Sequence, residues 1–323
     1  MTTTGLYILF FFFLIISILI YFRLANRYKI VDKPNHRSSH SALTIRGGGI
    51  IFSLAIFALP IFFTFSAYYF ISGLAIISTI SFIDDLQPIS NKIRVFCHLL
   101  GVSLLFYQLH VFQFPLFAII ISYIVTIGTI NAINFMDGIN GMTGLYALVT
   151  LVSLFLINNF GTTFISQEII ICSSMSLLVF LIFNLRTKAK CFAGDVGSVG
   201  IAFIIIYILL SLIILSDNFK YILLLLIYGL DTISTIAFRL IRRENIFEAH
   251  RSHFYQYLAN HTKLSHITIS TIYAVIQLLV NLIVILILPS NIFLIAILII
   301  LSIVLFVLLR FWVEGRSRLL GNN

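Results

Sequence analysis

Along most of the chain, apolar residues run on without alternation and are broken only by short polar stretches. A helix that crosses a bilayer needs about 20 such residues. Runs of that size lie at 5–22, 48–65, 67–83, 95–111, 114–130, 142–158, 167–184, 198–215, 219–240, 266–288 and 291–311. The pattern therefore predicts eleven transmembrane helices, and tight boundaries near Ser66 and Ser290 make ten or twelve the neighbouring counts. A membrane barrel would show strands alternating with period two, and five prolines in 323 residues add to the case for helices. The expected fold is all-α: a polytopic membrane protein forming one integral domain over 1–323, with no internal repeat or low-complexity tract to divide it.

Composition agrees with the pattern. The chain is 60% hydrophobic and 10% charged, with a mean hydropathy of +1.11. A soluble domain carries roughly 25% charged residues, so a soluble enzyme, a disordered chain and a disulfide-stapled secreted domain are excluded. Cys97, Cys172 and Cys191 are scattered without CxxC or ligand-like spacing and read as small apolar fillers.

The net charge of +9 suggests nucleic acid until its distribution is considered. When the loops are assigned alternately to two sides, nineteen of the 20 Lys and Arg fall on one side and Lys220 alone on the other. That asymmetry marks the basic side as cytoplasmic, with the N-terminus outside and the C-terminus inside. Residues 1–22 have no basic region ahead of the apolar run, so they read as a retained helix rather than a cleaved signal. Asp32, Asp84, Asp85, Asp137, Asp195, Glu244, Glu248 and Glu314 fall on the same cytoplasmic side, Asp231 lies inside a span, and Glu168 and Asp217 lie outside. The expected location is a bacterial inner membrane with the chemistry facing the cytoplasm and no nucleic-acid partner.

The polar stretches at that face carry the candidate chemistry. Asp84 and Asp85 close the third run, followed by Lys92 and Arg94. Two adjacent carboxylates repel by about 4 kcal/mol at about 4 Å and an effective dielectric near 20, so either a cation lies close by or one of them stays protonated. After the fifth run come Asn131, Asn134 and Asp137, each a helical turn from the last and so expected on one helix face before Gly138 and Gly141. Their oxygens suit a hard cation or a sugar hydroxyl; helix capping and a turn are the alternative. Gly194-Asp195-Val-Gly197-Ser198 opens the eighth run, where free N–H groups could face phosphate while Asp195 holds a divalent ion; a simple helix cap is compatible. Arg46 with Gly47, Gly48 and Gly49, after Arg37 and His40, could grip a pyrophosphate or merely meet lipid headgroups. His250, Arg251, His253 and Tyr255 lie in the longest cytoplasmic loop; if that loop is helical, the two histidines share a face, suited to phosphate and sugar or to an amphipathic surface helix. Asp231 costs about 2.5–3.5 kcal/mol at a span centre, so it is kept for function or for pairing between helices.

Together these sites provide oxygen ligands for a metal, phosphate grips and histidines at one membrane face. Phosphoryl transfer from a soluble donor to a membrane-bound acceptor needs that combination. Asp84-Asp85, Asn131-Ala-Ile-Asn134-Phe-Met-Asp137-Gly-Ile-Asn140-Gly-Met, Phe192-Ala-Gly194-Asp195-Val-Gly-Ser198 and Ala249-His250-Arg251-Ser-His253-Phe-Tyr255-Gln256, in that order, resemble the polyprenyl-phosphate N-acetylhexosamine-1-phosphate transferase family. The resemblance runs from about Asp32 to Gln256. Arg37, His40 and the Arg46-Gly-Gly-Gly string are similar to the branch that starts O-antigen and related envelope glycans. Asn140 stands where many members carry Asp, the histidines are not contiguous, and Leu43-Thr-Ile-Arg46 replaces a commoner Pro-Thr-Pro-Arg.

The resemblance implies that Asp195 binds Mg²⁺ (with Mn²⁺ as a substitute) on the donor pyrophosphate and that Asp84, supported by Asp85, acts on the lipid phosphate. It further implies that Asn134 and Asp137 border the metal and nucleotide, and that His250 and His253 contact phosphate or sugar. Asn131, Arg46, Lys92, Arg94, Gly194, Ser198 and Arg251 are the candidate substrate-binding residues. The partners implied are a UDP-N-acetylhexosamine, undecaprenyl phosphate and membrane lipids, with a homodimer among the allowed assemblies. UMP would be the product, through direct attack or through an aspartyl-phosphate on Asp84. A transporter or lipid-binding channel is the competing class, but it would spread polar residues toward both faces. A CDP-alcohol phosphatidyltransferase would need a carboxylate-rich helix that the chain lacks.

Overall fold

The computed structural model describes residues 2–32, 43–246, 248 and 250–321. Arg37 and His40 of the basic loop lie outside the described residues. The helices are α1 (Thr3–Tyr28), α2 (Ile50–Phe62), α3 (Tyr68–Leu86), α4 (Asn91–Gln108), α5 (Leu116–Phe135), α6 (Met142–Phe160), α7 (Gln167–Asn184), α8 (Gly194–Ser216), α9 (Leu226–Ile241), α10 (Phe254–His261), α11 (His266–Leu286), α12 (Ile292–Glu314) and α13 (Arg316–Leu320).

Every predicted apolar run coincides with a helix, but among the described residues nine helical segments are long and apolar enough to cross a membrane. The protein is in this respect a multi-pass membrane protein, and the helices at two of the eleven predicted runs are shorter or more polar than these nine. Helix α2 has 13 residues, about 20 Å at 1.5 Å per residue, against a hydrocarbon core of about 30 Å. Helix α4 opens on Asn91, Lys92 and Arg94 and carries His98, which makes it too polar to stand with the others.

The apolar α8 forms the centre and packs on α2, α3, α5 and α6. Its first turn touches α2 so closely that a Cβ on Gly49 would lie 2.3 Å from the Gly197 Cα. Helix α12 is peripheral; its buried residues are Ile295, Arg310 and Glu314. The span 219–241 starts as a 3-10 helix over Phe219–Leu225 and becomes α9. Backbone groups freed at that junction need partners inside the membrane, and Gln277 of α11 supplies them. Its Oε1 accepts from the Ile227 N–H at 2.9 Å and from the Tyr146 hydroxyl at 2.7 Å, and its Nε2 donates to the Leu223 carbonyl at 3.0 Å. The three cysteines are unpaired; Cys172 and Cys191 are buried and Cys97 is half-buried.

A small extended ladder interrupts the all-helical pattern. Strand β1 (Val31–Asp32) pairs antiparallel with β2 (Thr44–Ile45), and Ile45 bridges in parallel to Cys191. The pairing continues as the Phe192 N–H donates to the Ile45 carbonyl at 2.8 Å, Gly48 N–H to Phe192 at 2.8 Å and Gly49 N–H to Ala193 at 3.0 Å. This ladder lays the segment before α2 along the segment before α8, and Arg46 is thereby carried to the α8 N-terminus.

Candidate active site

Helices α3 and α8 meet where α3 ends and α8 begins, and Asp85 sits at the junction. Its carboxylate accepts the Asp195 N–H on Oδ1 and the Val196 N–H on Oδ2, each at 3.0 Å. Arg46 Nε lies 2.7 Å from the same Oδ1, and the Asp85 side chain is fully buried. The first N–H groups of a helix have no partner within it and attract an anion; here the chain's own Asp85 occupies that position. The expected phosphate grip at Gly194 and Ser198 therefore has a different geometry. Two of the amides are committed to Asp85, and Ser198 Oγ is buried and donates back to the Gly194 carbonyl at 3.0 Å. Gly194 is required by its surroundings: its φ is +72°, and an added Cβ would lie 2.6 Å from Asp85 Oδ2. The Gly48 and Gly49 amides are likewise committed, to carbonyls 192 and 193.

Asp84 faces the other way. The Ile89 N–H donates to its Oδ1 at 2.7 Å, and Arg94 Nη1 lies 3.3 Å from its Oδ2. The adjacent pair thus tolerates its repulsion through two separate cations, one for each carboxylate. Lys92 is exposed on the first turn of α4.

Asn131 and Asn134 lie on α5, as their spacing predicts, but Asp137 does not share their face. Helix α5 stops at Phe135, and Asp137 begins a turn in which its N–H donates to the Asn134 carbonyl at 3.1 Å. Tertiary packing still unites them: Asn134 Nδ2 donates to Asp195 Oδ1 at 3.3 Å. Burial pushes the Asp137 carboxyl up to about 7, and the negative charges of Asp195 and Asp85 act in the same direction. Among the described residues, neither Asp137 nor Asp195 forms an ion pair. Asn140 is buried and donates to the carbonyls of Arg186 and Thr187 at 2.7 and 3.4 Å, so it fastens a loop.

The histidine loop is not helical at its histidines. Helix α10 begins at Phe254, with His253 as its N-cap residue. The His250 and His253 rings stack with centroids 5.1 Å apart, and each centroid lies 6.2 Å from that of Phe135. Tyr255 fixes the docking: its hydroxyl donates to the Phe135 carbonyl at 2.9 Å, and Gly138 leaves room for its ring. Burial lowers the His250 pKa to about 4, which keeps this ring neutral at neutral pH. Arg251 Nη2 is buried without a hydrogen-bond partner among the described residues.

Residues beyond the sequence reading complete the frame. Tyr21 donates to the Arg46 carbonyl at 2.5 Å. Asn184 accepts the Gly141 N–H at 2.7 Å and donates to the Cys191 carbonyl at 2.9 Å, joining the start of α6 to the loop before α8. Lone polar residues at span ends carry no spacing signal that would single them out.

Hard oxygen donors with surplus negative charge fit Mg²⁺, which binds one or two carboxylates and leaves its other positions to water and phosphate. No group of three or more His, Cys, Asp or Glu among the described residues forms a protein-only cage. Asp195, which accepts from the Asn134 amide, and Asp137 are the carboxylates of this site without an ion pair among the described residues.

A family model described as Glycosyl transferase family 4 matches residues 67–213. The match covers Asp84, Asp85, Asn134, Asp137 and Asp195, and excludes Arg46 and the histidine loop. It supports a polyprenyl-phosphate sugar-phosphate transferase in general terms, with a sugar nucleotide and a polyprenyl phosphate as partners. No curated protein matches the chain.

Proposed function

We propose that the protein transfers an N-acetylhexosamine 1-phosphate from a UDP-sugar to undecaprenyl phosphate, releasing UMP and starting a lipid-linked envelope glycan of the O-antigen kind. The observation that carries this reading is the convergence of Asp85, Arg46, Asp195 and Asn134, from four separate segments, on one end of the α8 helix. The one-sided distribution of cations supports an active site facing the cytoplasm of a bacterial inner membrane.

Asp195 and Asp137 would hold Mg²⁺, which when bound neutralises charge on the donor pyrophosphate. Asp85 acts as a clamp: with both oxygens on the α8 amides and Arg46 beside it, it fixes the direction in which the Asp195 side chain leaves the helix. Arg46, with its side chain 37% exposed, keeps donors free for an anionic substrate. Asp84 and Arg94 form a second polar contact at the end of α3, suited to placing the lipid phosphate near the membrane surface. A lipid phosphate oxygen attacks the β-phosphorus of the donor and the bond to the UMP oxygen breaks, so one phosphoanhydride replaces another and the step is reversible. Direct displacement is favoured, because both Asp84 oxygens are already engaged and a covalent route would have to free one.

The test is an exchange assay with purified protein in lipid, undecaprenyl phosphate, Mg²⁺ and a panel of UDP-N-acetylhexosamines, following UMP release. Turnover with at least one sugar is expected. Silence with the whole panel, from protein that melts cooperatively, would refute the proposal.

A further inference from the structure

Asp231 lies inside the membrane-spanning segment 219–241 and is completely buried, yet it gathers five donors. His253 Nδ1 lies 3.2 Å from its Oδ1, and the Phe254 N–H donates to the same oxygen at 2.9 Å. The Thr235 hydroxyl donates to Oδ1 at 3.2 Å, the Tyr255 N–H to Oδ2 at 3.2 Å and the Tyr273 hydroxyl to Oδ2 at 2.7 Å. A buried carboxylate satisfied in this way caps the first turn of α10, and it also selects the tautomer of His253: the proton on the ring faces the carboxylate at Nδ1. The other ring nitrogen, Nε2, is buried and has no hydrogen-bond partner among the described residues, although His253 is only 2% exposed. An unpartnered buried polar atom is costly, and this one sits on a ring packed beside Phe135, one residue from Asn134.

The arrangement has a second support. Arg310, 1% exposed near the cytoplasmic end of α12, donates to the hydroxyls of Ser234 at 2.9 Å and Thr235 at 2.8 Å and to the Ser252 carbonyl at 2.8 Å. Glu314 lies 2.5 Å from its Nε. The otherwise peripheral α12 thereby braces both α9 and the residue preceding His253. Orientation by a carboxylate behind a histidine is a general way to aim a ring nitrogen at a reacting group.

We infer that Asp231 is a positioning residue for the proposed transfer: it holds His253 so that Nε2, protonated as the anion binds, donates to a phosphate oxygen of a substrate, and Arg310 braces the pair. This inference rests on the proposed function for its substrate and on the structure for its geometry. The groups facing His253 are Asp231 of α9, His250 of its own loop and Tyr255 of α10, with Phe135 of α5 the apolar neighbour.

The test combines kinetics with an observation that needs no turnover. Asp231→Asn keeps the shape and most of the hydrogen bonds while removing the charge. Both Asp231→Asn and His253→Gln are expected to lower kcat more than tenfold, and the double variant should be no worse than the weaker single one. Tyr273→Phe, which loses a partner of Oδ2 and leaves Oδ1 untouched, should change kcat less than threefold. A rise in KM for the UDP-sugar would assign Nε2 to the donor pyrophosphate, and a rise in KM for undecaprenyl phosphate would assign it to the lipid. Losses that multiply in the double variant, or wild-type kcat in Asp231→Asn, would overturn the inference. Independently, ¹⁵N-histidine spectra of the full chain in bilayers, assigned by difference with His253→Gln, should show a protonated Nδ1. A bare Nδ1 with protonated Nε2 also overturns it, whatever the activity. Wild-type silence in the exchange assay counts against the proposed function, and the spectra still decide the Asp231–His253 pair.

Discussion

Asp85 and Asp231 solve the same local problem with opposite consequences. Each is a buried carboxylate projecting from one helix onto the first turn of another, Asp85 onto α8 and Asp231 onto α10. Asp85 takes a guanidinium, Arg46, as its charged partner and stands beside Asp195 and near Asp137, so negative charge accumulates around it. Asp231 takes an imidazole, and around it the donors are hydroxyls and amides, with Arg310 one hydroxyl away. One helix cap thus builds a place that needs an added cation, while the other aims a ring nitrogen. A buried acid reveals its role by what else is buried with it, because desolvation makes every nearby charge count.

The largest expected effect breaks the metal side of that contrast. Asp195→Asn should lower Mg²⁺-dependent UMP release by about 10³-fold, on the order of 4 kcal/mol in the barrier, and leave the melting temperature nearly unchanged, because only the Asp195 backbone N–H joins Asp85. Rates measured across a Mg²⁺ titration decide it, and wild-type turnover would remove Asp195 from the metal role.

Next is the clamp itself. Asp85→Ala strands two helix amides and leaves Arg46 without its carboxylate, which should cost about 3 kcal/mol of stability. A thermal or denaturant melt in detergent measures this, and a shift equivalent to less than about 1 kcal/mol would mean that the α8 amides find other partners.

A smaller effect follows from Asp137, whose carboxyl is raised to about 7. A carboxyl protonated in the folded state and ionised in the unfolded state adds stability that is complete below about pH 4 and is lost as pH rises to about 7. Metal-free wild type should therefore become less stable across that window, and Asp137→Asn should not. Added Mg²⁺ favours the carboxylate form and should flatten the wild-type curve; melts at several pH values, with and without Mg²⁺, test both statements. The smallest change is expected at Lys92, exposed on α4: Lys92→Ala should alter stability by no more than about 0.5 kcal/mol and KM for the lipid less than tenfold. A larger rise in KM would extend the lipid-phosphate contact beyond Arg94.

Much of this architecture was legible along the chain. Long apolar runs specify helices because only a helix satisfies its own backbone in lipid, and each run is a helix. Span number was less legible: α2 and α4 are helices at predicted runs, but α2 has 13 residues and α4 opens on polar residues, so length and composition single out nine segments among the described residues. At the site, the adjacency of Asp84 and Asp85 announced a need for cations, and the sequence even held both, but Arg46 lies 39 positions away and no pattern links it to Asp85. The turn after Phe135 also escaped the spacing argument. Helical periodicity placed Asp137 on a face with Asn134, whereas the helix ends two residues sooner and the site is reassembled through Asp195.

The sequence by itself determined an all-helical membrane chain of long apolar runs parted by short polar stretches, because hydrophobic run length and charge are local properties that need no partner. Only the tertiary structure decided which oxygen is spent on a helix end and which is left for a ligand. That choice depends on the ladder pairing Ile45 with Cys191, on glycines that let α2 and α8 meet, and on a fold that brings Asp231 beneath His253 across 22 residues of chain. Hydrogen bonds are short-ranged and directional, so their assignment waits for the packing that sets distances.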